Sequence, residues 1–209
     1  MFENKLKFKE TLWEWRAFSL KVDLGILRKI CSLSEKSSKP TKMVDNYLFR
    51  SGCEINLKIR NEDLRIKKLV KKRSKGIEQW RTEAYGFPLS PVMFKTLAKV
   101  FKMNLYEREI ENAENLKFIM MQTIPTIRVI SVTKQRELYI WPPNDKDGVT
   151  IELAEIQKPE RVKSIGIEHR HYKKVNQALK NLPLSSNSLK VLNYVNCLEV
   201  WAEGKNLSI

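Results

Sequence analysis

The sequence predicts an α+β fold: a closed antiparallel β-barrel with a polar interior and helices packed on its outside. Many short segments alternate apolar with ionisable residues at the two-residue period of a strand. A smaller number of segments carry apolar residues three and four apart, which is the stripe of an amphipathic helix. Cations recur on the ionisable face of several separate strands, and the predicted helices cover the apolar face from outside, so closing the sheet turns the charged face inward.

The elements follow in chain order. Leu12 to Phe18 places Glu14 and Arg16 on one face and Trp13, Trp15 and Ala17 on the other, which reads as a strand. Leu24, Leu27, Ile30 and Cys31 have helical spacing over Leu24–Ser32, and the Ser-, Lys- and Pro-containing stretch Ser34–Lys42 reads as a loop. Short strands are predicted at Tyr47–Phe49, Glu54–Arg60, Leu64–Lys67 and Ile77–Arg81, with turns at Asn61–Asp63 and Lys71–Gly76. Ser90 and Pro91 supply an N-cap and a first-turn proline for a helix whose stripe is Met93, Phe94, Leu97, Ala98 and Phe101, opposite Lys95, Lys99 and Lys102. Strands are predicted again at Leu116–Gln122, Ile127–Lys134, Glu137–Trp141, Val149–Ile156 and Ser164–Glu168, with turns at Pro142–Asn144 and Asp147–Gly148. Tyr172, Val175, Ala178, Leu179 and Leu182 predict one further helix, and Leu189, Leu192, Val195, Leu198 and Trp201 a last one ended by Gly204.

The whole chain, residues 1–209, reads as a single domain, and 42% hydrophobic residues supply its core. Lys and Arg number 39 against 24 Asp and Glu, a formal charge of +15 that favours an anionic partner. No run of 18 apolar residues occurs, and Met1–Glu10 lacks a signal-peptide core, so a soluble, cytoplasmic protein without membrane partners is expected. Cys31, Cys53 and Cys197 are widely spaced and form no CxxC pair, which predicts reduced thiols and no structural zinc.

The chemistry lies in the alternation. Ile55, Leu57 and Ile59 oppose Lys58 and Arg60; Leu64 and Ile66 oppose Arg65 and Lys67; Val149, Ile151 and Leu153 oppose Glu152; Ile165 and Ile167 oppose Ser164 and Glu168. Arg128, Lys134 and Arg136 share parity on another strand. On any one strand this is the ordinary solvated face of an antiparallel sheet. A closed barrel makes it an interior, which must then hold water, compensating carboxylates and a multivalent anion, because unpaired buried ions are costly. Glu14, Glu78, Glu152 and Glu168 are the available carboxylates. They either balance the cations or offer oxygen ligands to Mg²⁺ or Mn²⁺.

Taken in order, Glu14-Trp15-Arg16, Leu57-Lys58-Ile59-Arg60, Leu64-Arg65-Ile66-Lys67, Glu78-Gln79-Trp80, Val132 to Arg136, Ile151-Glu152-Leu153, Gly166-Ile167-Glu168 and the closing Asn193 to Leu198 with Trp201 resemble the CYTH-like, or triphosphate tunnel metalloenzyme, superfamily. The resemblance spans about residues 10 to 203. It implies an eight-stranded tunnel in which basic residues hold a triphosphate and glutamates hold one or two divalent metals. Arg16, Lys58, Arg60, Lys67, Arg81, Lys134 and Arg136 would then bind phosphate. Glu14, Glu152 and Glu168 would be catalytic, and with Glu78 would bind Mg²⁺ or Mn²⁺. Two carboxylates of the pattern are missing, at Leu12 and Gly166. The opening Glu-x-Glu-x-Lys reads Leu12, Glu14 and Arg16 here, and Gly166 stands where a glutamate commonly precedes Glu168 by two residues.

His169 and His171 flank Arg170 at a helix start and lack metal-site spacing, and Cys53 reads as a packing residue. Trp13, Trp15 and Trp201 are expected under helices. The run Lys67–Lys75 contains six Lys or Arg and reads as a solvated hairpin with the capacity to dock nucleic acid. The expected function is divalent-metal-dependent hydrolysis of inorganic triphosphate or a nucleoside triphosphate. The alternatives are a non-catalytic module binding polyphosphate, nucleotide or RNA on the same fold, and an interaction protein that uses the barrel as scaffold.

Overall fold

The computed structural model describes residues 6–31, 39–101, 108–143, 145–184 and 188–208. In chain order the elements are β1 (Leu6–Ser19), α1 (Leu24–Cys31), β2 (Thr41–Phe49), β3 (Ile55–Arg60), β4 (Asp63–Lys72), β5 (Glu78–Gly86), α2 (Pro91–Val100), α3 (Ala113–Thr123), β6 (Arg128–Trp141), β7 (Val149–Lys158), β8 (Val162–His169), α4 (Tyr172–Asn181), β9 (Lys190–Val191) and α5 (Tyr194–Ala202). The hydrogen-bonded order is β5-β4-β3-β2-β6-β7-β8-β1-β9, and an additional β5–β1 pairing closes the first eight strands on themselves. This is the closed antiparallel barrel that the alternation predicts, with β9 added at β1.

Four predicted elements are corrected. Leu116–Gln122 is part of helix α3, not a strand. The side chain of Asn112 accepts a hydrogen bond from the Asn115 amide, and Ala113, Leu116 and Met120 are buried at helical spacing. A strand would place Phe118 beside Leu116 and Met120, yet Phe118 is 65% exposed. The segments Ile127–Lys134 and Glu137–Trp141 form one strand, β6, because Gln135 and Arg136 remain paired with Glu155 and Ala154 and the register slips only between Thr133 and Lys134. The last helix begins at Tyr194 after an Asn193 cap, and the preceding Lys190–Val191 pairs with β1 as β9. Strand limits also move outward: Thr41 and Lys42 open β2, and Lys71 and Lys72 finish β4. Residues 32–38 of the predicted loop, and Asn144 of the predicted turn, lie outside the described residues.

Several local readings hold. Ser90 caps α2 through the Met93 amide with Pro91 in the first turn. Asn61 and Glu62 have positive φ, 49° and 58°, as a two-residue hairpin between the paired Arg60 and Asp63 requires.

Two compact units are assembled from interleaved stretches of chain. The first comprises residues 1–10, 45–68 and 81–131. Its core joins Leu48, Leu57, Ile59, Leu64 and Ile66 of the strands to Met93, Phe94, Leu97, Leu116 and Met120 of α2 and α3. The second comprises residues 11–44, 69–80 and 132–209. There Trp13, Trp15, Ala17, Ile151, Leu153, Ile165 and Ile167 pack with Leu24 and Leu27 of α1 and Val175 and Ala178 of α4. In each unit the apolar strand face lies under that unit's helices, so the opposite parity carries the ionisable residues.

Candidate anion-binding site

In the second unit, strands β1, β8 and β7 lie side by side, and their register sets the site. Arg16 of β1 and Glu152 of β7 both pair with Gly166 of β8. Gly166 has no side chain between them, and the Arg16 guanidinium crosses the gap to donate from Nη1 to Glu152 Oε1 at 2.9 Å. Arg16 Nε donates to Glu14 Oε1 at 2.7 Å, and Nη2 lies 3.8 Å from Glu168 Oε1. Three glutamates from three strands therefore converge on one arginine that is only 5% exposed.

Glu152 also accepts from Lys134 Nζ at 3.3 Å and from Arg136 Nη1 at 3.1 Å, both on β6. Burial by itself would raise the Glu152 pKa, but the charges of Lys134, Arg16 and Arg136 outweigh it and hold the carboxyl well below the usual carboxylate range. Burial likewise works against the Arg16 charge, and Glu152 and Glu14 overcome it and raise its pKa. Tyr194 of α5 accepts from Lys134 Nζ at 3.2 Å, and its ring centroid lies 4.9 Å from Lys134 Nζ and 5.0 Å from Arg16 Cζ. Glu78 accepts from Trp80 Nε1 and from Asn193 Nδ2, and with Glu14, Arg16, Asn193 and Asn196 it lines a small cavity.

The first unit has a second buried charge cluster. Asp45 of β2 is fully buried and accepts from Arg60 Nε and Nη2, both at 2.5 Å, from Lys58 Nζ at 3.3 Å and from the Tyr47 hydroxyl at 3.4 Å. Arg65 pairs across the strands with Lys58, and Lys67 with Asn56, so both lie on the Lys58 face. Arg81 is exposed on β5, with the parity of Tyr85, which packs toward the helices of that unit.

Of the residues singled out in the sequence, Glu14, Arg16, Lys134, Arg136, Glu152 and Glu168 come together in the second unit. Lys58 and Arg60 meet in the first. Asp45 and Tyr194 are the members that sequence reading missed. Asp45 stands two residues before Tyr47, opposite Leu48, so its parity was the available signal. Tyr194 had none, since it falls off the apolar stripe Leu189, Leu192, Val195, Leu198 and Trp201 of the predicted helix.

Among the described residues no group of three His, Cys, Asp or Glu side chains is arranged to hold a metal ion. The glutamates that would hold Mg²⁺ or Mn²⁺ are arranged around a guanidinium, and that donor set does not fit a divalent ion. His169 faces Asp147, with Nε2 3.3 Å from Oδ1, and its Nδ1 accepts from the His171 amide. The basic run ends β4 and forms a 3-10 turn at Ser74–Gly76, with Lys71, Lys72, Arg73 and Lys75 exposed. Among the described residues no helix is long and apolar enough to cross a membrane.

No family model and no curated protein sequence matches the chain. Solved structures do. A Hippeastrum protein, HpAC1, described under an adenylyl cyclase name and as having a dominant triphosphatase activity, superposes with a TM-score of 0.53 at 12% identity, covering 94% of this chain and 98% of its own. The PH1012 protein of Pyrococcus horikoshii OT3 superposes with a TM-score of 0.50 at 16% identity, covering 88% of this chain and 98% of its own. The strand order and the closing β5–β1 pair make a closed eight-stranded antiparallel barrel, and the chain shares its fold with these structures.

Proposed function

We propose that this chain binds a short polyphosphate, either inorganic triphosphate or the triphosphate of a nucleotide, on the inward cationic side chains of its barrel. The observation that carries this reading is the shared carboxylate: Glu152 is held by Arg16, Lys134 and Arg136 together. Arg16 has Glu14 and Glu168 as further partners, and Lys134 and Arg136 share the same Glu152 carboxylate, so an entering polyanion competes with one carboxylate for several cations at once. Asp45, with Lys58 and Arg60, repeats the pattern in the first unit. A polyphosphate offers these cations charge-assisted bonds of the same kind, from several oxygens on one ligand.

Differential scanning fluorimetry with sodium tripolyphosphate in EDTA tests this. A ligand at about a hundred times its dissociation constant adds about 2.7 kcal/mol to stability. For a chain of this size that raises Tm by several degrees. The paired substitution Lys134→Ala and Arg136→Ala is expected to remove most of the shift. No shift in the unsubstituted protein, with or without metal, would sink the reading.

A second reading, hydrolysis of the bound triphosphate, is favoured by the likeness to a protein described as a triphosphatase. Release of phosphate from tripolyphosphate supplied as its Mn²⁺ complex, lost in Glu152→Gln, would support it.

A further inference from the structure

We propose that Arg16 is the resident cation of the three-glutamate cluster, held where a divalent ion would otherwise sit, with Gly166 as the residue that makes room for it. The polyphosphate is then bound without metal. This rests on the polyphosphate reading for the ligand, but the statement about the cation stands apart from it.

The first support is geometric. The three nitrogens of the Arg16 guanidinium address Glu14, Glu152 and Glu168 at 2.7, 2.9 and 3.8 Å. Mg²⁺ and Mn²⁺ require several oxygen ligands drawn in close around one point. A carboxylate set spread around a planar fork is built for arginine instead.

The second support is Gly166. Its φ lies outside the left-handed region, so the backbone does not ask for glycine there. Space does. A Cβ at position 166 would lie 2.5 Å from Arg16 Nη2 and 2.8 Å from Cζ, closer than such contacts ever come. Any side chain at 166 would force the guanidinium to shift from its present position. The arginine at 16 and the glycine at 166 are therefore one coupled feature.

Mn²⁺ titration followed by EPR, on the intact chain without polyphosphate, tests the proposal directly. The unsubstituted protein is expected to leave Mn²⁺ free through the low-millimolar range. Arg16→Ala with Gly166→Glu, which removes the guanidinium and adds a carboxylate, is expected to bind Mn²⁺ at least about ten-fold more tightly. Circular dichroism establishes whether that variant folds. If it does not, the titration of the unsubstituted protein decides alone. Stoichiometric Mn²⁺ binding by the unsubstituted protein below about 100 µM, the affinity range of dedicated oxygen-ligand sites, overturns the proposal if Glu152→Gln abolishes it. So does a tripolyphosphate thermal shift that appears only with Mn²⁺. A protein that ignores both tripolyphosphate and Mn²⁺, while the double variant gains Mn²⁺, keeps the resident cation and refutes only the polyphosphate reading.

Discussion

Glu152 concentrates the electrostatics of the second unit in one side chain. Replacing it by Gln keeps the shape but removes the charge from beneath Arg16, Lys134 and Arg136, all of which bond to it. Breaking a buried ion-pair network from one side costs about 3–5 kcal/mol. Urea denaturation of Glu152→Gln at neutral pH is expected to show a loss of that order. Acid titration probes the same residue. Its folded-state pKa is depressed, because the three cations outweigh the burial that would raise it. As pH falls through the ordinary carboxylate value, about 4.3, the unfolded chain takes up the proton before the folded one does. The stabilisation is thus complete above that pH and declines as pH falls toward the folded pKa. Glu137 acts in the same direction: burial raises its pKa, and hydrogen bonds from Arg28 and Tyr139 lower it further than burial lifts it. Stability measured from pH 7 to pH 3 should therefore fall below about pH 5, with a shallower slope in Glu152→Gln. An unchanged slope would place the acid sensitivity elsewhere.

Among the elements, α5 depends on a residue with two duties. The Asn193 side-chain oxygen caps the helix by accepting from the Asn196 amide, while its Nδ2 donates to Glu78. Asn193→Ala removes both bonds and is expected to cost about 1–2 kcal/mol. Asn193→Asp separates the two roles. Aspartate caps a helix as well as asparagine does, but it would set a carboxylate against Glu78, so Asn193→Asp should still be less stable than the unsubstituted protein in thermal melts. If it is equally stable, the Glu78 contact carries no weight. Helix α1 is fastened differently. Arg28 reaches Glu137 on β6 and Glu155 on β7 from outside the sheet, and because Arg28 is partly exposed, its loss is expected to cost about 1 kcal/mol or less. The elements also show where sequence reading succeeds. Helix α2 announces itself by Ser90, Pro91 and a clean stripe. Helix α3 does not, because Phe118 and Met121 are exposed and apolar, which blurs its stripe into an apparent alternation. Strand β6 reads as two strands because Thr133 to Glu137 is polar on both faces and interrupts the apolar alternation, whereas the register slip skips Gln157 of β7 and leaves the parity of β6 intact.

For the whole molecule, the charge of +15 makes binding to polyanions salt-dependent whatever the specific ligand. Lys71, Lys72, Arg73 and Lys75 are exposed at the end of β4 and in the following turn, where a phosphate backbone has access to them. Binding to a single-stranded RNA oligonucleotide should weaken as salt rises, with a slope of about −0.7 per phosphate contacted. Replacing those four residues by Gln should flatten that slope, while leaving the tripolyphosphate shift of the barrel intact. A slope unaffected by the replacements would remove this hairpin as a nucleic-acid surface.

By itself the sequence determined the class of this protein: alternating strands whose ionisable faces carry cations, helices with matching apolar stripes, and a charge that selects anions. These follow from local rules, since the side-chain period of a strand or helix is set within a few residues. The order of the charged strands added the tunnel fold. Only the tertiary structure decided what the interior charges do to one another. The register that sets both Arg16 and Glu152 opposite Gly166 joins residues more than a hundred positions apart. It brings two residues that stand apart in the sequence, an arginine at 16 and a glycine at 166, into a single arrangement in which a guanidinium stands among three glutamates. Strand pairing is a long-range choice, and no window of sequence contains it.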